Sequence, residues 1–265
     1  MIPNLVIFNK VISPYMIFTL IGIFTIGIYT AKVAKKYNID DVDVIFTLLI
    51  SSIGVLLGAH LLYGITNFEI ILKVLDNPEI FKDFKMLLLI FTQIFGGAVF
   101  YGGLFAGLLF GYSYIKIKQF DIASFVKILV PAIPLFHFFG RLGCFTSGCC
   151  YGIESKFGFV YKYAFHEIGI NGVRRFPVQL FEAGFNLALF FVLYKIKDND
   201  KYSKYLLHIY LICYSVARFI LEFLRGDAIR GVWFGLSTSQ YISIVAFSVA
   251  TFLLAKRVIS NQKSK

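Results

Sequence analysis

Charge is scarce in this chain. Of its 265 residues only 15% are Asp, Glu, Lys or Arg, whereas soluble domains carry roughly 25%. Hydrophobic residues make up 58% and the mean hydropathy is +0.76. That shortage excludes a separate soluble domain with a solvated charged surface. No G-x4-G-K-[ST] loop occurs, so nothing resembles an ATPase. No heptad, solenoid period or low-complexity tract is present. No convincing small-residue cleavage site follows the first apolar block, which is therefore expected to be a mature helix rather than a signal peptide.

What is present is a series of apolar blocks of about 20 residues, the length a helix needs to cross a bilayer core of about 30 Å. The chain reads as one integral-membrane domain over 1–265: all-α, polytopic, with about seven transmembrane helices. The expected spans are Val11–Ala31, Val44–Ile65, Val99–Ile115, Ile122–Gly143, Val178–Tyr194, Leu206–Leu224 and Leu236–Ala255. Pro131 and Pro134 are expected to kink the fourth. Residues 68–95 are ambiguous: Phe68–Leu75 reads as an interfacial helix, and Met86–Phe95 is too short to cross alone.

Basic residues set the orientation. Lys32, Lys35 and Lys36 follow the first span, and Lys116 and Lys118 the third. Lys195, Lys197, Lys201 and Lys204 follow the fifth, and Lys256, Arg257, Lys263 and Lys265 the seventh. Alternate loops thus carry the clusters, which predicts the N-terminus outside and the C-terminus in the cytoplasm. Loops 66–98, 145–177 and 225–235 then face out. The net charge of +11 lies mostly in these short loops. The bilayer, with its acidic head groups, is therefore the expected partner, and nucleic acid is not.

The most informative stretch is Gly140-Arg141-Leu142-Gly143-Cys144-Phe145-Thr146-Ser147-Gly148-Cys149-Cys150-Tyr151-Gly152. An arginine at the end of a membrane-length apolar run is costly, and its default reading is a functional site with an anionic partner. Arg218, Glu222 and Arg225 are spaced i, i+4, i+7 and share one helix face. Two arginines for one carboxylate leave positive charge over, and Arg141 adds more at the same membrane level. A phosphate would satisfy that excess, because the guanidinium fork matches its oxygens. These arginines therefore predict a phospholipid head-group site, with an internal ion pair as the plainer reading of Glu222. Glu182 either pairs with Arg141 or Arg218 as structure or shapes the pocket.

His60 and His137 read as hydrogen-bonded packing residues rather than ligands. Tyr101 opens the third span, as an interfacial aromatic or a hydroxyl reaching the site. Gly102 and Gly103 after it permit close helix approach. Cys144, Cys149 and Cys150 would face an oxidising compartment. A disulfide from Cys144 to Cys149 or Cys150, free structural thiols, and thiol chemistry favoured by a nearby arginine all remain open. Their C-x4-C-C spacing is not the usual C-x2-C pair, so neither a metal nor a cofactor is expected. Cys213, mid-span, reads as packing.

Several ordered blocks together resemble the prolipoprotein diacylglyceryl transferase family of bacterial membrane enzymes. Gly140-Arg141-Leu142-Gly143-Cys144-Phe145 with Gly148 and Tyr151-Gly152 is similar to the family signature. Pro177-Val178-Gln179-Leu180-Phe181-Glu182 resembles its Pro-Ser-Gln-Leu-Tyr-Glu block. Residues 218–225 resemble its penultimate helix, Leu236-Ser237-Thr238-Ser239-Gln240 the start of its last, and Tyr15 a tyrosine of its first span.

The resemblance implies transfer of the diacylglyceryl group of phosphatidylglycerol to the lipobox cysteine of exported prolipoproteins. It further implies a multi-pass protein of the bacterial plasma membrane, with its site toward the outer leaflet. Carried over by position, Tyr101, Arg141, Arg218 and Glu222 would be catalytic. Arg141, Arg218, Arg225, Tyr15, Gly102, Gly103 and Gly152 would bind phosphatidylglycerol. The chain departs from the pattern at Tyr101, where the family has the histidine favoured as base, and at Cys144 and Cys149, where it has asparagine and glutamate. His60 stands for a basic residue of the family's second span. These departures allow a diverged relative using the same lipid site for thiol-dependent chemistry through Cys144, Cys149 or Cys150. A protein that binds or transports anionic lipid is the other alternative.

Overall fold

The computed structural model describes residues 2–7, 10–75, 83–164, 168–227 and 231–263. Its helices are α1 (Pro14–Ala34), α2 (Asp41–Thr66), α3 (Phe68–Leu75), α4 (Phe84–Phe95), α5 (Phe100–Ile117), α6 (Ile122–Ser147), α7 (Val178–Ile196), α8 (Leu206–Glu222) and α9 (Thr238–Lys263). Three short antiparallel pairs join them: β1 (Leu5–Ile7) with β2 (Lys10–Ile12), β3 (Glu154–Val160) with β4 (Arg174–Arg175), and β5 (Val232–Trp233) with β6 (Leu236–Ser237).

Among the described residues six helices are long and apolar enough to cross a membrane: those containing α1, α2, α6, α7, α8 and α9. The protein is therefore an all-α polytopic membrane protein. The third expected span, Val99–Ile115, falls on α5, a helix of 18 residues, about 27 Å long at 1.5 Å per residue, and it is not among the six. Four glycines and three tyrosines dilute its apolar character. The first helix starts at Pro14 rather than Val11 because Val11 and Ile12 belong to β2, and proline suits the first helical position. At 12 residues α4 is too short to cross. Pro131 and Pro134 lie inside a continuous α6.

Within a chain read as one membrane domain, the helices gather into two compact units, residues 34–125 and residues 1–33 with 126–265. In the 34–125 unit, α2 and α5 run antiparallel along a glycine seam. A Cβ on Gly58 would come within 2.9 Å of the Gly102 carbonyl carbon and nearer still to its oxygen. One on Gly103 would meet the Val55 carbonyl at 3.0 Å. Small residues at such contacts let two backbones approach closely, so that van der Waals packing can hold the helices together in lipid. Gly58→Val is expected to lower stability by about 1–3 kcal/mol through overpacking, read as a lower thermal midpoint in detergent.

The other unit packs α6, α7 and α8 around Val130, Leu189, Leu193, Leu206 and Tyr210. Phe24 and Phe252 are about 70% and 68% exposed on its outside, a pattern that suits lipid rather than water as the neighbour. Backbone hydrogen bonds tie the segment after α6 to the end of α8: Ile153 N–H donates to the Leu224 carbonyl at 3.0 Å, and Gly226 N–H to that of Tyr151 at 2.9 Å. Gly152 sits in that seam. A Cβ there would lie 3.0 Å from the Leu224 oxygen and closer to that of Phe176.

Candidate active site

Six charged side chains of this unit form one alternating chain. Arg141 of α6 pairs through Nη2 with Oε1 of Glu182 on α7 at 2.9 Å. Arg218 of α8 reaches the other oxygen of Glu182 at 3.4 Å and Glu222 at 2.8 Å. Arg225 lies 3.7 Å from Glu222 and grips Asp227 through both Nε, at 2.9 Å, and Nη2. Glu182 and Glu222 are buried, and the guanidiniums nearly so.

The surplus positive charge expected from the spacing on α8 is therefore absent. Three guanidiniums meet three carboxylates, because Glu182 arrives from α7 and Asp227 from the turn after α8. Neither contact follows from i, i+4 spacing. Charges this deep persist only when paired and hydrogen-bonded.

Neighbouring polar groups hold the chain in place. Tyr214 donates to Glu182 Oε1 at 3.3 Å, and Arg218 Nη2 donates to Ser239 Oγ at 3.1 Å. Ser239 is placed by a reciprocal cap at the start of α9. There the Ser237 N–H donates to Gln240 Oε1 at 2.8 Å and the Gln240 N–H to Ser237 Oγ at 3.3 Å. A serine followed three residues later by glutamine is the sequence form of that cap. Ser237→Ala is expected to cost about 1 kcal/mol, measured as a lower thermal midpoint. Ser239, Tyr214, Asp227 and Gln179 are site residues that the sequence reading missed. Of these, Gln179 and Ser239 lie in the blocks that carry the family resemblance, whereas Tyr214 and Asp227 had no local signal.

The three clustered cysteines are free thiols rather than the disulfide weighed from sequence. Helix α6 ends with Gly148 at φ 74°, its N–H bonded to the Phe145 carbonyl at 3.3 Å and the Cys149 N–H to that of Cys144 at 3.1 Å. This is a Schellman ending, which folds the second residue past the helix back onto the helix's last turn. Those two residues are Cys149 and Cys144. Cys150 also takes a left-handed conformation, φ 54°, and the three Sγ atoms lie within 4.8 Å of one another. The five-residue spacing that argued against a metal pair thus gathers three ligands after all. Gln179 Nε2 holds the Cys149 carbonyl at 2.8 Å and the Tyr161 hydroxyl at 2.9 Å. The Cys150 thiol is pushed well below its ordinary pKa by hydrogen bonds from the Cys144 and Cys149 thiols, aided by Arg141 and Arg225. The Cys149 thiol is pushed up as the proton-holding member.

Tyr15 donates its backbone N–H to Ser147 Oγ at 3.0 Å, and its ring covers Gly143. The His137 ring lies 5.2 Å from that of Tyr214, and its buried Nδ1 has no hydrogen-bond partner among the described residues. Cys213 packs against the core of this unit, as expected. Tyr101, Gly102, Gly103 and His60 belong to the 34–125 unit. There Gly102 and Gly103 contact α2, and His60 Nδ1 lies 2.8 Å from both the Phe95 and Gly97 carbonyls. Two carbonyls at one nitrogen require Nδ1–H, so His60 joins α2 to the end of α4.

The family model described as prolipoprotein diacylglyceryl transferase matches residues 4–256. The chain belongs to that family. Among its relatives, the phosphatidylglycerol–prolipoprotein diacylglyceryl transferase of Clostridium tetani (strain Massachusetts / E88) is 32% identical over 248 residues, covering 93% of this chain and 94% of the relative. The protein named phosphatidylglycerol–prolipoprotein diacylglyceryl transferase 2 of Clostridium perfringens (strain 13 / Type A) is 30% identical over 239 residues, 90% and 88% of the two chains. A Leptospira interrogans transferase of the same name is 26% identical over 281 residues. Within this diacylglyceryl transferase family, the matched region takes in both compact units. The likeness therefore covers the Tyr101 segment as well as the arginine network.

Proposed function

We propose that this chain transfers the diacylglyceryl group of phosphatidylglycerol to the lipobox cysteine thiol of prolipoproteins, releasing glycerol phosphate at the outer face of the bacterial plasma membrane. The observation that carries this reading is the meeting of Arg141, Arg218 and Arg225 in one buried network, in a chain whose relatives bear that enzyme's name. The alternating lysine clusters support an N-terminus outside and a C-terminus in the cytoplasm. The chain would act as one membrane domain.

A guanidinium carries five N–H donors. Glu182 and Glu222 fix the planes of the Arg141 and Arg218 forks, and the phosphodiester oxygens would be met by donors of these two arginines. As the glycerol C–O bond breaks, the phosphate passes from one negative charge to two. Donors already oriented toward that charge stabilise the transition state more than the ground state. Arg141 and Arg218 would hold the phosphate, with Arg225 beside them and Glu222 orienting both α8-side arginines. Gly152 would keep the strand beside Arg225 at backbone distance, and Tyr15 would border the lipid next to Gly143. Gly102 and Gly103 would serve phosphatidylglycerol binding by keeping α5 close to α2.

Tyr101 stands at the family's histidine position. Its hydroxyl would act by hydrogen bonding to the substrate. Tyr101→Phe is expected to slow transfer by about tenfold or less, the worth of one neutral hydrogen bond.

The test is purified protein in phosphatidylglycerol vesicles with a lipobox peptide, and rescue of cells depleted of their own transferase. The expected result is a peptide heavier by one diacylglyceryl group, absent when the peptide cysteine is serine. Correctly folded protein that yields no modified peptide and no rescue overturns the reading.

A further inference from the structure

Cys144, Cys149 and Cys150 are metal-ligating side chains that the fold gathers and the phosphate chemistry does not use. Their Sγ atoms all lie within 4.8 Å of one another. A zinc ion held by thiolates at about 2.3 Å needs sulfur–sulfur separations of about 3.8 Å. The trio therefore closes on such an ion by moving its sulfurs about 1 Å or less. The backbone builds this convergence: the Schellman ending stacks Cys149 on Cys144, and the left-handed Cys150 turns its side chain back toward them. Gln179 fixes the Cys149 carbonyl from behind.

Among the described residues no histidine or carboxylate joins the three sulfurs. Three protein ligands and an open fourth position distinguish catalytic zinc from structural zinc. Cys144 is buried, while Cys149 and Cys150 are half-buried. Three thiolates around a divalent ion leave one negative charge, and Arg141 and Arg225 lie close enough to act on Cys150 electrostatically.

We propose that Cys144, Cys149 and Cys150 form a three-thiolate zinc site whose fourth position takes the acceptor cysteine's thiol. The proposal rests on the transferase reading above and names how its acceptor is activated. A free thiol has a pKa of about 8.5, whereas a coordinating thiol is deprotonated outright. The acceptor S–H loses its proton as the sulfur binds zinc. A sulfur electron pair then forms the S–C bond to the diacylglycerol carbon, whose C–O bond breaks with its pair going to the phosphate oxygen. The departing glycerol phosphate takes up the proton, and zinc stays divalent throughout. The chain thereby has a route to a thiolate although Tyr101 replaces the family's histidine.

The experiment uses full-length protein purified in detergent without chelator and, in parallel, loaded with cobalt as a spectroscopic probe. One zinc per chain is expected, together with thiolate-to-cobalt charge-transfer absorption that gains intensity when a lipobox peptide is added but not its serine counterpart. Cys149→Ser and Cys150→Ser are expected to lose the metal and to lower transfer about 100-fold or more, as for loss of an acid–base group. Cys213→Ser is expected to keep both, and thermal midpoints verify that each variant folds. Full transfer by zinc-free protein, or a disulfide within the trio in unreduced membranes, overturns the site. Stoichiometric zinc with no peptide-dependent spectral change overturns the acceptor role. Failure of the transferase reading is told apart by its own signature: metal bound and folding intact, yet no lipid-modified peptide.

Discussion

Arg141→Ala is expected to lower diacylglyceryl transfer by about 10²–10³-fold, the cost of removing one preorganised donor from a site where charge develops. Folding should survive, because Glu182 keeps Arg218 at 3.4 Å and the Tyr214 hydroxyl at 3.3 Å as partners. The check is initial rates at saturating phosphatidylglycerol together with a thermal midpoint in the same detergent. Arg141→Lys keeps the charge but loses the fork that matches phosphate geometry, so its rate should stay well below that of the unaltered protein. A Lys variant as fast as the parent would mean that Arg141 supplies only charge balance to Glu182.

Glu182→Ala carries the largest expected effect on stability. This carboxylate is buried and joins α6, α7 and α8 through Arg141, Arg218 and Tyr214. Its removal leaves Arg141 without its acidic partner and Arg218 with Glu222 alone. Breaking a buried pair from one side costs about 3–5 kcal/mol, a large share of a marginal total stability. The measurement is thermal or denaturant unfolding in detergent. Glu182→Gln keeps shape and one acceptor oxygen and is expected to lose less. An unchanged midpoint for Glu182→Ala would show that helix packing alone holds these three helices together.

The two outcomes separate roles that one network combines. The ionised carboxylates neutralise arginines that could not otherwise sit so deep, and in the proposed reaction Arg141 and Arg218 would turn donors to an arriving phosphate. This also explains why the pairs at Glu182 and Glu222 include the longer 3.4 and 3.7 Å contacts: one carboxylate is shared by two guanidiniums at each position.

Several elements were readable from residue order. The apolar blocks placed the spans of α1, α2, α6, α7, α8 and α9 to within several residues, because crossing length is a one-dimensional property. Phe68–Leu75 and the short α4 were also visible as helices unable to span. α5 was harder, since its glycines serve a seam with α2 and lower its hydropathy at the same time. The ordered motifs around Arg141, Glu182 and Arg218 carried the family likeness, which the match over residues 4–256 shows.

The sequence by itself determined the membrane class, the helix order and the family, because these depend on the length of apolar runs and on residues near one another in the chain. Only the tertiary structure decided the charge balance and the thiol cluster. Glu182 meets Arg218 across 36 residues and Arg141 as well, so residue order offers a pairing with one or the other only as an alternative, and the structure makes it with both. Cys144, Cys149 and Cys150 converge because Gly148 and Cys150 turn left-handed. That backbone choice is made by the way the helix ends, and residue spacing alone does not disclose it.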